Sequence, residues 1–290
     1  MRIVLVLALL AAAAGCGSSA ASSGRLGVVA STNVYGDIVR QIGGGRVDVT
    51  SVLDNPNADP HLFEAGNGTA LAVAEARVLV ENGLGYDAWM SKLVDASPSK
   101  SRAVVTIADA LGVHGGHANP HVWYDVARLP RIADAIEHAL ARADPKHAAA
   151  YRANERRFLV NAAPLDREVA AIRRRFAGAA IAYTEPVPGY LTADAGLRNL
   201  SPDSFTRAIE SGTEPPPAAV PDVQGLVRKH RVRALLYNAQ AVSPITSRVL
   251  SLAKDAGVPV VAVTETLPAG KTYQQWLLGE ARALAAALRS

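Results

Sequence analysis

Short apolar runs alternate with amphipathic stretches along most of the chain. Leu26 to Ser31 (LGVVAS) is a short apolar run of strand length, and Val47 to Leu53, Arg77 to Gly83 (RVLVENG) and Ala103 to Ala108 (AVVTIA) also read as strands. A run like the first fits a strand buried on both faces. Between them, Val34 to Ile42, Thr69 to Ala76 and Tyr86 to Val94 carry helical spacing. Strands alternating with helices of this length predict βα units and a mostly parallel sheet.

The pattern then changes. Leu129 to Phe176 reads as helix throughout, and Asp144 to Phe176 is its longest segment, 33 residues. At ~1.5 Å per residue that is about 50 Å, more than the width of one small domain. Asp144 followed by Pro145 predicts an N-cap with proline at the first helical position, and Pro164 predicts a kink or a division. Beyond it the first grammar returns. Ala179 to Thr184, Arg233 to Asn238 and Val258 to Thr264 read as strands. Ser201 to Ile209, Val220 to His230, Thr246 to Ala256 and Thr272 to Leu288 read as helices. The prediction is an α/β protein: two α/β lobes with parallel sheets joined by one long bridging helix. The expected boundaries are 25–142 for the first lobe, 143–178 for the bridge and 179–290 for the second lobe. No sequence repeat relates the halves.

Composition narrows the class. The chain has 290 residues, 49% of them hydrophobic, and a net charge of +4. Its Lys and Arg form no stripe interleaved with aromatics, so nucleic-acid binding is not indicated. Residues 1–24 read as an export leader and linker. Met1 and Arg2 supply positive charge, and Ile3 to Ala14 is an apolar segment too short to span a bilayer. Cys16, the only cysteine, follows a small residue and precedes a Ser/Gly-rich run. That arrangement resembles a bacterial lipoprotein signal, in which the cysteine is lipidated and anchors the mature chain to the membrane. An ordinary leader cleaved near Ala14 or Ala20 is the alternative. Both place the mature chain outside the cytoplasmic membrane. With no other cysteine, disulfides and thiolate metal sites are unavailable.

In open α/β sheets, sites form beyond the carboxyl ends of strands. His61 follows the second predicted strand (DPHLFE) and His121 the fourth (NPHVWYD); each histidine follows a proline. Glu185 follows IAYT and Glu265 follows VAVT in the other half. Two imidazoles from one lobe and two carboxylates from the other suit one divalent ion such as Zn(II), Mn(II) or Fe(II). His114 and His117 sit in a Gly-flanked loop before His121, either as an accessory metal-capturing loop or as plain surface. His138, His147 and His230 read as surface. Trp89, Trp123 and Trp276 read as core or lobe-packing residues.

These motifs resemble the zinc- and manganese-binding solute receptors of bacterial ABC importers. DPHLFE is similar to that family's DPH-x-[YF]-E motif, NGLGYDAWMSKL to NGLGLE-x-W, and NPHVWYD to DPHxWLD. LARADPKHAAAYRANERRF resembles the start of its bridging helix. The resemblance spans about Leu26 to Leu288 and is looser in the second half. It implies one metal between the lobes, with His61 and His121 as the first two ligands. The third, histidine or glutamate in the family, falls on Glu185. The fourth is usually aspartate in a motif like LDPL; here the place reads Thr264, Glu265, Thr266, Leu267, so a glutamate longer by one methylene replaces it. The resemblance implies capture of a divalent transition metal and its delivery to an ABC permease by a monomeric, non-enzymatic protein. Two imidazoles with two carboxylates, and glutamate at the third position, lean towards manganese or iron, yet zinc is placed first, manganese next and iron third. The loop with His114 and His117, similar to a shortened His-rich loop of zinc receptors, is what favours zinc.

Two other functions compete. A secreted metallohydrolase needs an open coordination position and a general base, and neither a His-Glu-x-x-His nor a Gly-x-Ser-x-Gly motif is present. An adhesin, or a receptor for an organic solute, fits the same fold.

Overall fold

The computed structural model describes residues 24–58, 60, 63 and 65–290. His61 lies outside the described residues, as do Cys16 and the rest of the expected leader and linker except Gly24.

The first lobe holds β1 (Leu26–Thr32), β2 (Val47–Leu53), β3 (Val78–Glu81) and β4 (Ala103–Thr106), in the order β2-β1-β3-β4. Its helices are α1 (Asn33–Gly43), α2 (Asn67–Glu75), α3 (Ala88–Ala96), α4 (Ile107–Leu111) and α5 (Leu129–Ala143). The second lobe holds β5 (Ala180–Tyr183), β6 (Arg198–Asn199), β7 (Leu235–Asn238) and β8 (Val260–Val263), in the order β6-β5-β7-β8. Its helices are α7 (Gly189–Asp194), α8 (Asp203–Glu210), α9 (Ala219–Arg228), α10 (Pro244–Asp255) and α11 (Tyr273–Ala287). Every described strand pair is parallel. Both sheets share one winding: the first strand has its successor on one side and the third strand on the other. The crevice at that reversal lies between β1 and β3 in one lobe and between β5 and β7 in the other.

The lobes are joined by α6 (Ala148–Phe176), one helix of 29 residues. Pro164 does not divide it. The carbonyl that Pro164 leaves without a donor is that of Val160, four residues earlier, and Val160 is exposed, so water can serve it. The helix also starts later than expected, after a 3-10 turn at Pro145–His147. Asp144 does not cap the backbone: its carboxylate takes His147 Nδ1 at 2.6 Å and the Tyr151 hydroxyl at 2.8 Å. His147 is thereby half-buried in a local network, not a free surface residue. Among the described α-helices and strands, three escaped the sequence pattern, α4, α7 and β6, none longer than six residues.

One hydrophobic cluster runs through both lobes. It includes Ile38 and Ile42 of α1, Phe158, Leu165 and Val169 of α6, Ile181 of β5, and Tyr273, Trp276 and Leu277 of α11. A wide hinge opening would expose this shared core, which favours small shifts between the lobes.

Candidate metal centre

Glu185 and Glu265 each sit just past a strand's carboxyl end, and His121 reaches the same place from farther along the chain. His121 comes off the loop after β4 and α4. Asn119 orients it: Asn119 Oδ1 accepts the His121 backbone N–H at 3.0 Å and lies 2.8 Å from ring Nδ1. The amide cannot be turned over, because Asn119 Nδ2 donates to the Pro186 carbonyl at 2.7 Å. Nδ1 therefore carries a hydrogen, and Nε2 is the free lone pair of the neutral ring. Nε2 points at Glu265 Oε2, 3.2 Å away. Two acceptors at that distance need a cation between them, either a proton or a metal. Two donors on one tetrahedral ion with bonds of about 2.1 Å stand roughly 3.4 Å apart, so the spacing suits a metal.

Glu185 follows β5 and Glu265 follows β8, and both are buried. Asn238, at the end of β7 between those strands, donates Nδ2 to Glu185 Oε2 and, at 2.8 Å, to Glu265 Oε1. Its own Oδ1 accepts the Gln240 N–H at 3.0 Å, which sets the amide's orientation. Gln240 Oε1 accepts from the Glu265 backbone N–H, and Gln240 Nε2 donates to the Pro56 carbonyl at 3.0 Å. The segment leading to His61 is thereby tied to the loop that carries Glu265. Tyr86 donates its hydroxyl to Glu265 Oε2 at 3.2 Å; burial, with the Glu265 charge beside it, pushes the phenol's pKa well up and keeps it a donor.

His121, Glu185 and Glu265 each offer a ligand atom within 4.8 Å of the others, and all three are buried. Burial lowers the basicity of the His121 ring, but the carboxylates of Glu210, Glu265 and Glu185 outweigh it and hold the ring above its ordinary range. Glu210 Oε2 stands 3.7 Å from His121 Nδ1. A positive charge is thus favoured where three carboxylates meet one imidazole.

The other predicted histidines are elsewhere. His114 faces solvent beside Asp109 at 3.6 Å. His117 lines a cleft of ≈ 610 Å³ with Asn119, Pro186, Asp203 and Glu210. Trp123 and Trp276 are buried in the core, as expected, while Trp89 is half-buried against Phe63. Asn119, Tyr86 and Glu210 went unnoticed in the sequence. Asn119 had a readable signal, standing two residues before His121 in NPHVWYD. Glu210 had none, since only the fold brings the end of α8 to His121.

Comparison with known proteins accords with this arrangement. The family profile described as "Zinc-uptake complex component A periplasmic" matches residues 28–287. The manganese ABC transporter substrate-binding lipoprotein scaA of Streptococcus gordonii is 24% identical over 282 residues, covering 90% of this chain and 87% of that protein. The iron ABC transporter substrate-binding lipoprotein MtsA of Streptococcus pyogenes serotype M1 is 27% identical over 172 residues, 55% of each chain. In fold, the chain resembles the Mn-bound periplasmic metal-binding protein of Candidatus Liberibacter asiaticus, with a TM-score of 0.73 and 18% identity over 90% of this chain and 98% of that one. The chain belongs to the family of periplasmic zinc-uptake components, solute-binding receptors of bacterial metal ABC importers and not enzymes.

Proposed function

We propose that the chain captures one divalent transition-metal ion outside the cytoplasmic membrane and passes it to an ABC permease. His61 and His121 would bind from the first lobe, Glu185 and Glu265 from the second. The observation that carries this reading is the buried convergence of His121, Glu185 and Glu265, with Asn119 and Asn238 aiming the side chains. Glu265 in place of the family's usual aspartate fits the reading, since its carboxylate lies within hydrogen-bonding distance of His121 Nε2. Membrane attachment through Cys16, monomeric state and extracytoplasmic location belong to the same proposal. The lipoprotein names of relatives support the anchor.

For the ion itself, two carboxylates among four donors favour Mn(II) or Fe(II) over Zn(II), and the relatives above are named for manganese and iron. We therefore place manganese first. Zinc, favoured by the sequence, is the second reading; it rests on His114 and His117, of which His117 lines the cleft, and on the family's description. Metal analysis of purified protein tests the core claim. One equivalent is expected in the wild type and a large loss in His121→Ala and Glu185→Ala. Unchanged stoichiometry in both would remove the reading. Competition between Mn(II) and Zn(II) at equal free concentration ranks the two ions.

A further inference from the structure

Glu280, a half-buried residue of α11, is no part of the proposed ligand set. Its two oxygens divide their partners by kind. Oε1 faces donors only: Trp276 Nε1 at 2.8 Å and the Thr264 backbone N–H at 3.2 Å. Oε2 lies 2.7 Å from the Tyr124 hydroxyl oxygen. That same hydroxyl lies 2.6 Å from the Thr264 carbonyl. A phenol has one hydrogen and a peptide carbonyl has none. If Tyr124 donates to Thr264 O, the hydrogen between Tyr124 and Glu280 must come from Glu280. If Glu280 were ionised, it would claim the phenol hydrogen and leave two oxygens 2.6 Å apart with nothing between them.

We propose that Glu280 is a neutral carboxylic acid and a positioning residue whose proton completes a clasp between the lobes. The clasp runs from Glu280 through Tyr124 to Thr264, whose N–H and C=O are both held within it. Tyr124 is three residues past His121, in the same turn of the first lobe, and Thr264 immediately precedes Glu265 in the second. The proton therefore bears on the alignment of an imidazole and a carboxylate that Glu280 does not itself touch.

The electrostatics agree with the hydrogen count. Burial pushes the Glu280 carboxyl up to about 7, against the opposing pull of Tyr124, Trp276, the Thr264 N–H and Lys271. Lys271, in the loop before α11, is the cation acting on it among the described residues. Arg282 follows two residues later on the same helix, and acids act on the residues of the clasp and of α11. Glu265 acts on Tyr124. Asp125 and, from α6, Asp166 act on Tyr273 of α11, and Asp37 of α1 accepts the Tyr273 backbone N–H at 2.9 Å. The folded value lies above the ordinary 4.5. The clasp's contribution is thus complete below the ordinary value and is lost as pH rises through about 7.

The effect on metal capture rests on the proposed function; the protonation state does not. Carbon-13 NMR of the side-chain carboxyls, with Glu280 assigned by comparison with Glu280→Gln, reads the proton directly. Titration near 7 is expected, and titration near the ordinary 4.5 overturns the inference. Glutamine mimics the neutral acid, accepting from Trp276 and Thr264 and donating to Tyr124. The ratio of Mn(II) affinities, wild type to Glu280→Gln, should be near one at about pH 6 and should fall about threefold to thirtyfold by about pH 8.5. A ratio independent of pH also overturns it. If neither protein binds Mn(II) or Zn(II), the capture reading fails, while the NMR titration still decides the state of Glu280.

Discussion

Asn33 and Leu267 hold each other as two peptide groups do in a sheet. Asn33 Oδ1 accepts the Leu267 N–H at 2.9 Å, and Asn33 Nδ2 donates to the Leu267 carbonyl at 2.9 Å. Asn33 opens α1 directly after β1 in the first lobe, and Leu267 is two residues past Glu265 in the second. Gln41 and Gln274 form a second reciprocal amide pair between the lobes, with both bonds at 2.9 Å. These clamps, together with the shared core, hold the Glu265 loop against the first lobe whether or not an ion is present.

Replacing Asn33 with alanine would leave a buried N–H and C=O of Leu267 unpaired. Each such group costs ~1–3 kcal/mol. Asn33→Ala is expected to lower the denaturant midpoint clearly and to weaken metal binding through a looser Glu265 loop. Asn33→Asp keeps the acceptor for the N–H but buries a carboxylate and sets one of its oxygens against the Leu267 carbonyl, so its loss should be at least as large. Urea titration monitored by tryptophan fluorescence, beside metal titration, separates the two effects. Equal behaviour of wild type and Asn33→Ala would mean that the clamp contributes nothing.

Asn238 makes the neighbouring carboxylates of Glu185 and Glu265 tolerable by donating to both. Asn238→Leu keeps the volume and removes that donor. Loss of an outer partner of a metal ligand typically costs ~10–100-fold in affinity. A fall of that order is expected by competition against a fluorescent chelator, with the fold retained by circular dichroism. Asn238→Asp should be worse, because it sets a third negative charge between two others.

Asn119 acts on the other wall. With Asn119→Ala the His121 ring loses the acceptor that holds hydrogen on Nδ1, so the other tautomer and other ring orientations become accessible. Affinity should again fall by ~10–100-fold. The imidazole signals of a nitrogen-15-labelled sample should change from one fixed tautomer to an exchanging pair. A single unchanged tautomer in the variant would show that Asn119 is not what selects it.

The strand ends were legible because the signal is local. Strand-length stretches rich in apolar residues marked β1 to β5, β7 and β8, and a residue directly after such a stretch is placed by topology alone. Glu185 and Glu265 could be found that way. The short elements were not legible: β6 has two residues and α7 six, below any period that a pattern can show. Asp144 misled because its side chain had a better offer than the backbone, from His147 and Tyr151. Asn238 stood in view in the YNAQ segment, but its role depends on the sheet order that sets β7 beside both β5 and β8. Contacts of that kind, like the one between Asn33 and Leu267, carry no sequence spacing to read.

Protons should compete with the metal at His121. The carboxylates of Glu210, Glu265 and Glu185 hold the metal-free ring's pKa above its ordinary range. Below that raised value an arriving ion must displace a proton. Affinity should therefore fall by about tenfold per pH unit for this one site. The metal-free protein behaves in the opposite sense. A histidine whose folded value is raised adds stability that is fully present below its unfolded value and is lost as pH rises through the folded one. The gap in melting temperature between loaded and metal-free protein should accordingly narrow on acidification from both sides. Calorimetric titration in two buffers of different ionisation enthalpy should show proton release that grows as pH falls through the His121 range. A gap that stays constant, with no proton release, would mean that the ion does not bind at Nε2.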